Sequence, residues 1–136
     1  MNSLCPILLV EDDAVDVMTV KRCFKQLKIS NPLKVAADGE EALQLLLQCE
    51  DCKPCIILLD INMPKMNGLE LLQRLKNTPL LKKIPVVMLT SSKEESDVNH
   101  CFDLGVAGYM IKPVEYDQFV EIIKLLCAYW SVNELP

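Results

Sequence analysis

"IILLDINMPKMNG" fills residues 56–68, and its reading decides how the rest of the chain is read. Four large aliphatic residues, 56–59, lead straight into a carboxylate, Asp60. An apolar run this short, flanked by polar residues, reads as a strand buried on both faces. An ionised carboxylate against such a strand costs on the order of several kcal/mol unless water, a partner charge or a metal compensates it. Asp60 therefore needs a reason to stand there. The residues after it turn the chain steeply: Pro64 restricts the residue before it, and Gly68 is expected to supply an unusual backbone conformation.

Outward from this stretch, short apolar runs alternate with amphipathic ones. "PILLV" at 6–10 reads as a strand ended by Glu11, Asp12 and Asp13. Val17, Val20, Phe24 and Leu27 follow at helical spacing, and Asn31-Pro32 closes that segment. "LKVAA" at 33–37 is a second strand, and "DGEEALQLLLQ" at 38–48 a helix with Asp38 as its candidate cap. "NGLELLQRLKN" gives a third helix, bearing Leu69, Leu72 and Leu75. "IPVVMLTSS" is a strand ending in the hydroxyls Thr90, Ser91 and Ser92. Residues 96–104 form a helix stopped at Gly105. "AGYMIKP" is a fifth strand, and the last helix carries Phe119, Ile123, Leu126 and Trp130 on one face. Five such units with continuous apolar strands imply an α/β protein, a doubly wound five-stranded parallel sheet with helices on both faces.

Composition agrees. The 136 residues suit one compact domain, and a 51% hydrophobic content with 5% aromatics makes the core mostly Leu, Ile and Val. A net charge of −5 gives no electrostatic footprint for nucleic acid or an anionic membrane. No apolar run approaches a membrane span, and "MNSLCPILLVEDD" meets acid too early for a signal peptide. With no secretory signal, the seven cysteines read as reduced thiols of a cytoplasmic protein.

Ligands of such sheets bind outside the carboxyl ends of the strands. Four strand ends carry chemistry: Glu11-Asp12-Asp13, Asp60, Thr90-Ser91 and Lys112. The second strand contributes little, which fits an edge or near-edge position. Glu11, Asp12 and Asp60 would crowd three carboxylates, each raising the others' pKa unless a cation intervenes. Hard oxygen ligands on an open site suit Mg²⁺. Lys112 adds a fixed cation, Thr90 can donate to a phosphoryl oxygen, and Asp60 is placed as a nucleophile able to form an acyl phosphate.

These residues resemble a known family. "ILLVEDD", "ILLDINMPKMNGLELL", "IPVVMLTSS" and "GYMIKPV" resemble, in order and nearly end to end, the receiver domains of response regulators. The resemblance implies the flavodoxin-like (CheY-like) fold and a stand-alone regulator in a two-component phosphorelay. It implies that Asp60 accepts phosphate from a histidine kinase and that Glu11 and Asp12 hold Mg²⁺ with Asp60 and the backbone carbonyl of Asn62. Thr90 resembles the switch hydroxyl, Lys112 the phosphoryl-contacting lysine, and Tyr109 the aromatic that turns inward. Lys112-Pro113 matches a bond that is cis in many receivers. Asp13 receives no assignment. The signal then passes by protein contact, to a target protein or a histidine phosphotransfer protein. By this reading the chain is a phosphoacceptor rather than an enzyme, one that supports its own phosphotransfer and dephosphorylation.

Two segments depart from the plain pattern. "CEDCKPC" spaces Cys49, Cys52 and Cys55 by three, but a bacterial iron–sulfur run wants a fourth cysteine where Leu59 stands, and zinc wants a fourth ligand. An exposed loop is the simpler reading. The ending "YWSVNELP" carries Tyr129, Trp130, Val132 and Leu135 beyond a domain drawn at 1–128. The tail at 129–136 either packs on the body or helps build a homodimer. This tail and the longer loop resemble the Rcp-type regulators that partner bacterial phytochrome kinases. The competing readings are a receiver-fold docking module that works without phosphate, an aspartate-nucleophile phosphatase, and a nucleotide- or flavin-binding domain. Asn62 stands where many such phosphatases carry a second Asp, and "VEDDAVD" has no glycine-rich turn to cradle phosphate.

Overall fold

The apolar runs become strands with little adjustment. In the computed structural model, which describes residues 5–48 and 53–132, these are β1 (Ile7–Val10), β2 (Leu33–Ala36), β3 (Ile56–Leu59), β4 (Val86–Thr90) and β5 (Gly108–Ile111). Between and after them run α1 (Ala14–Gln26), α2 (Gly39–Gln48), α3 (Gly68–Asn77), α4 (Glu95–Asp103) and α5 (Tyr116–Val132). All strand pairings are parallel, in the order β2-β1-β3-β4-β5, so β2 does lie at an edge.

Because strand side chains alternate, the sheet divides the core into two halves. Ile7, Leu9, Ile56, Leu58, Val87 and Leu89 face α1 and α5, where Phe24, Phe119, Ile123, Leu126 and Trp130 complete one cluster. Leu8, Val10, Ile57, Leu59, Val86 and Met88 face α2, α3 and α4, packing on Leu46, Leu71, Leu72, Leu75 and Cys101. Arg22 of α1 lies 4.0 Å over the ring of Tyr116 at the start of α5, linking the two helices of the first face.

Local chemistry sets the helix ends. Asp13 caps α1, accepting from the N–H groups of Val15 and Asp16. Asp38 accepts from the N–H of Glu41, as expected of a cap for α2, and Asn67 accepts from that of Glu70 for α3. At the end of α4, Gly105 takes a positive φ of 87° while Gly105 and Val106 donate back to Phe102 and Cys101. The end of α1 has the same hydrogen bonds, Lys28 to Lys25 and Ile29 to Phe24, so the helix stops well before Asn31-Pro32. Asn31 instead ties the following turn to Cys5 through its side-chain amide.

Gly68 corrects an expectation. Its backbone is not left-handed; that conformation belongs to Lys65, at φ 61°. Gly68 is needed for space: a Cβ there would lie 2.1 Å from the Asp60 carbonyl oxygen. The N–H of Gly68 donates to Ile61, so α3 begins pressed against the residue after β3.

Candidate functional site

β1 and β3 flank the point where the strand order reverses, the usual crevice of an open α/β sheet. Their register sets Val10 beside Leu59, so Glu11 and Asp60 emerge from adjoining strand ends. The N–H of Asp60 donates to Val10, and that of Glu11 to Ala36. Glu11 and Asp60 are buried, while Asp12 is exposed. One oxygen from each of these three lies within 4.8 Å of the others. Burial, reinforced by the charge of Asp60 and opposed by the hydrogen bond from Lys112, pushes the Glu11 carboxyl up to about 7. Carboxylates crowded in this way fit a hard divalent cation, whose charge would relieve both burial and repulsion. Asn62 sits exposed in the loop two residues past Asp60.

β5 delivers the lysine. The N–H of Lys112 donates to the Thr90 carbonyl, and its Nζ lies 2.5 Å from Glu11, 2.8 Å from Asp16 and 3.3 Å from Asp60. Burial alone would lower the pKa of this ammonium, but hydrogen bonds to Asp16 and Glu11 and the field of Asp60 raise it instead. It stays charged at any physiological pH. The expectation of a cis Lys112–Pro113 bond fails, since no peptide among the described residues is cis. The ammonium reaches all three carboxylates with the ordinary trans bond. Asp16 is the residue that sequence reasoning missed, because an acid in the first turn of a helix reads as a dipole complement.

Thr90 and Tyr109 meet through a third residue. Thr90 is fully buried, and its Oγ1 accepts from the N–H of Ser92 at 3.3 Å. The Tyr109 hydroxyl donates to the Ser92 carbonyl at 2.8 Å, and the Ser92 hydroxyl donates to Asp97 of α4 at 2.6 Å. Tyr109 is half-buried against the α2–α4 cluster, and burial raises its hydroxyl pKa.

The remaining expectations fall away from this edge. α5 runs through Val132, so Tyr129 and Trp130 are helical; Trp130 is buried, whereas Tyr129 is 56% exposed. The side chain of Val132, together with Leu135, Cys49 and Cys52, lies outside the described residues. Cys55 is buried with its thiol pushed up to about 12, chiefly by burial, and all five described cysteines are free. Among the described residues the acidic trio is the one group of three able to share a metal. No helix there is long and apolar enough to cross a membrane.

Comparison with known proteins is consistent along the chain. The family model described as "Response regulator receiver domain" matches residues 7–124. Response regulator Rcp1 of Synechocystis sp. is 36% identical over 128 residues, 91% of this chain and 87% of its own. Its Mn²⁺-bound crystal structure superposes with a TM-score of 0.87 at 35% identity, covering 97% of this chain and 99% of that one. The phosphorylated cyanobacterial phytochrome response regulator RcpA reaches 0.90 at 34% identity, covering 98% and 99%. The bacteriophytochrome response regulator RtBRR is 47% identical, with a TM-score of 0.77 over 98% of this chain and 84% of its own.

Proposed function

The chain belongs to the response regulator receiver domain family, and from that premise we propose that Asp60 accepts a phosphoryl group from a histidine kinase with Mg²⁺ bound beside it. The observation that carries the reading is the meeting of Glu11, Asp12, Asp60 and Lys112 at one strand edge. Glu11, Asp12, Asp60 and the Asn62 carbonyl would hold the cation, which when bound supplies positive charge between the carboxylates and the phosphoryl oxygens. Asp60 is the nucleophile: its carboxylate oxygen bonds to phosphorus as the bond to the donor histidine breaks, giving an acyl phosphate. β3 fixes its direction, and its Oδ1 is already engaged by the N–H of Ile61 at 2.8 Å, leaving Oδ2 toward Lys112. Lys112 offers its charge to the phosphoryl group, as does the Thr90 hydroxyl its proton. If Thr90 turns toward phosphate, Ser92 loses its acceptor and the hydrogen bond from Tyr109 must be remade, which alters the surface of α4 and β5. Hydrolysis of the acyl phosphate at the same edge resets the protein.

The partner kinase is, in this reading, of the phytochrome type, supported by the relatives named above. A second copy is proposed to pair through the end of α5, where Tyr129 and Leu125 are exposed. Trp130 is buried in the core and so does not join the pairing face; in sequence the apolar ending continues with Val132 and Leu135.

The test is acetyl phosphate with and without Mg²⁺, followed by intact mass. One phosphoryl group should be gained only with Mg²⁺ and be lost in Asp60→Asn, which should keep its fold by circular dichroism. Labelling that persists in that variant removes Asp60 as the acceptor. A folded parent that takes no label favours a docking module that works without phosphate.

A further inference from the structure

We infer that Asp16 is a positioning residue of this site: from the first turn of α1 it draws the Lys112 ammonium away from Asp60, weakening donor binding and shortening the life of the aspartyl phosphate. The inference rests on the phosphoacceptor reading above.

Three carboxylates compete for one ammonium, and Asp60 has the longest contact, 3.3 Å against 2.5 Å for Glu11 and 2.8 Å for Asp16. Glu11 and Asp60 come from strand ends and belong to the trio suited to a cation; Asp16 does not belong to it. Its backbone is fixed separately, because its N–H is held by the Asp13 cap. The Asp16 side chain is 28% exposed and that of Lys112 only 10%, so water screens the pair incompletely. A phosphoryl group on Asp60 would bring further negative charge to the same ammonium. Asp16 then acts in two ways of the same sign. It shares the positive charge the phosphoryl group needs, and its own charge repels the incoming anion. The acid thus holds the site short of its tightest grip on phosphate, which favours a switch that resets.

Asp16→Asn keeps the shape and a hydrogen-bond acceptor while removing the charge; Asp16→Ser is a second neutral variant; Asp16→Glu keeps the charge. With acetyl phosphate and Mg²⁺, intact mass gives the half-saturating donor concentration and the maximal labelling rate. Removing the donor on a desalting column then gives the phosphate half-life. The neutral variants should lower the half-saturating concentration and lengthen the half-life by about threefold or more, the scale of coupling between groups in contact. Asp16→Glu should stay near the parent. A purely structural role for Asp16 would move the neutral variants the other way, toward weaker donor binding. That result overturns the inference, as do neutral variants within twofold of the parent or a Glu variant that behaves like Asn. A parent that takes no label fails differently: it overturns the phosphoacceptor reading and this inference with it.

Discussion

Glu11 is the residue in which burial and charge conflict most directly, and the conflict has a sign. Its carboxyl is raised from an ordinary value of 4.5 to about 7, so between those pH values the native protein holds a proton the unfolded chain has lost. Stability must fall as pH rises through that window. With metal chelated, the melting temperature should decline from about pH 5 to pH 7, and the decline should flatten in Glu11→Gln. Adding Mg²⁺ at the upper end should restore the parent; a Glu11→Gln curve as steep as the parent's would move the titrating group elsewhere. Gly68 gives a second residue-scale test. An alanine Cβ would sit 2.1 Å from the Asp60 carbonyl, so Gly68→Ala should cost about 2–3 kcal/mol in urea unfolding and disturb the acceptor. A loss well under about 1 kcal/mol would mean that α3 can slide away without harm. Glu11, Asp60, Thr90 and Lys112 were legible because each ends an apolar strand, where an ionic or hydroxyl side chain calls for explanation. Asp16 was not, because its importance arises only when the fold brings the Lys112 ammonium, from the end of β5, within 2.8 Å of its carboxylate.

At the scale of elements, the two helix ends built alike make a matched experiment. Gly105 occupies the left-handed position after α4, and Lys28 occupies the same position after α1 at φ 55°. Lys28 is exposed, so Lys28→Gly should stabilise the protein by about 0.5–1 kcal/mol, while Gly105→Ala should destabilise it by about 1 kcal/mol. Chemical denaturation measures both, and a neutral Lys28→Gly would show that the lysine relieves its strain some other way. Strand positions were readable because continuous aliphatic runs such as 56–59 have no alternative use. The end of α1 was not readable, since a lysine gives no sign that its backbone has turned left-handed, and the first turn signal after it in the sequence is Asn31-Pro32. The end of α5 was readable in part. Nothing in "YWSVNELP" tells whether an aromatic ending packs on the body or on a second copy. Phe119, Ile123, Leu126 and Trp130 do share a helical spacing, and Trp130 fills a place in the α1–α5 cluster.

That placement changes how the whole molecule should be tested. Cutting the chain after Cys127 would remove a core tryptophan, at a cost of about 3–5 kcal/mol by analogy with Trp→Ala. A changed mass in solution would then report unfolding as readily as a lost interface. Substituting exposed Leu125 and Tyr129 with Ser leaves the core intact; light scattering of that variant should show a monomer if α5 pairs two copies, and an unchanged mass removes this face from the interface. The divided core has a broader consequence. Ile7, Leu9, Val87 and Leu89 answer to α1 and α5, while Leu8, Val10, Val86 and Met88 answer to α2, α3 and α4. The two clusters lie on opposite faces of one sheet, so substitutions on one side should need little retuning of the other. A chimera that takes its α2–α4 segments from one relative and its α1 and α5 from another should fold wherever the strands agree, allowing the two sides of the protein to diverge on separate schedules.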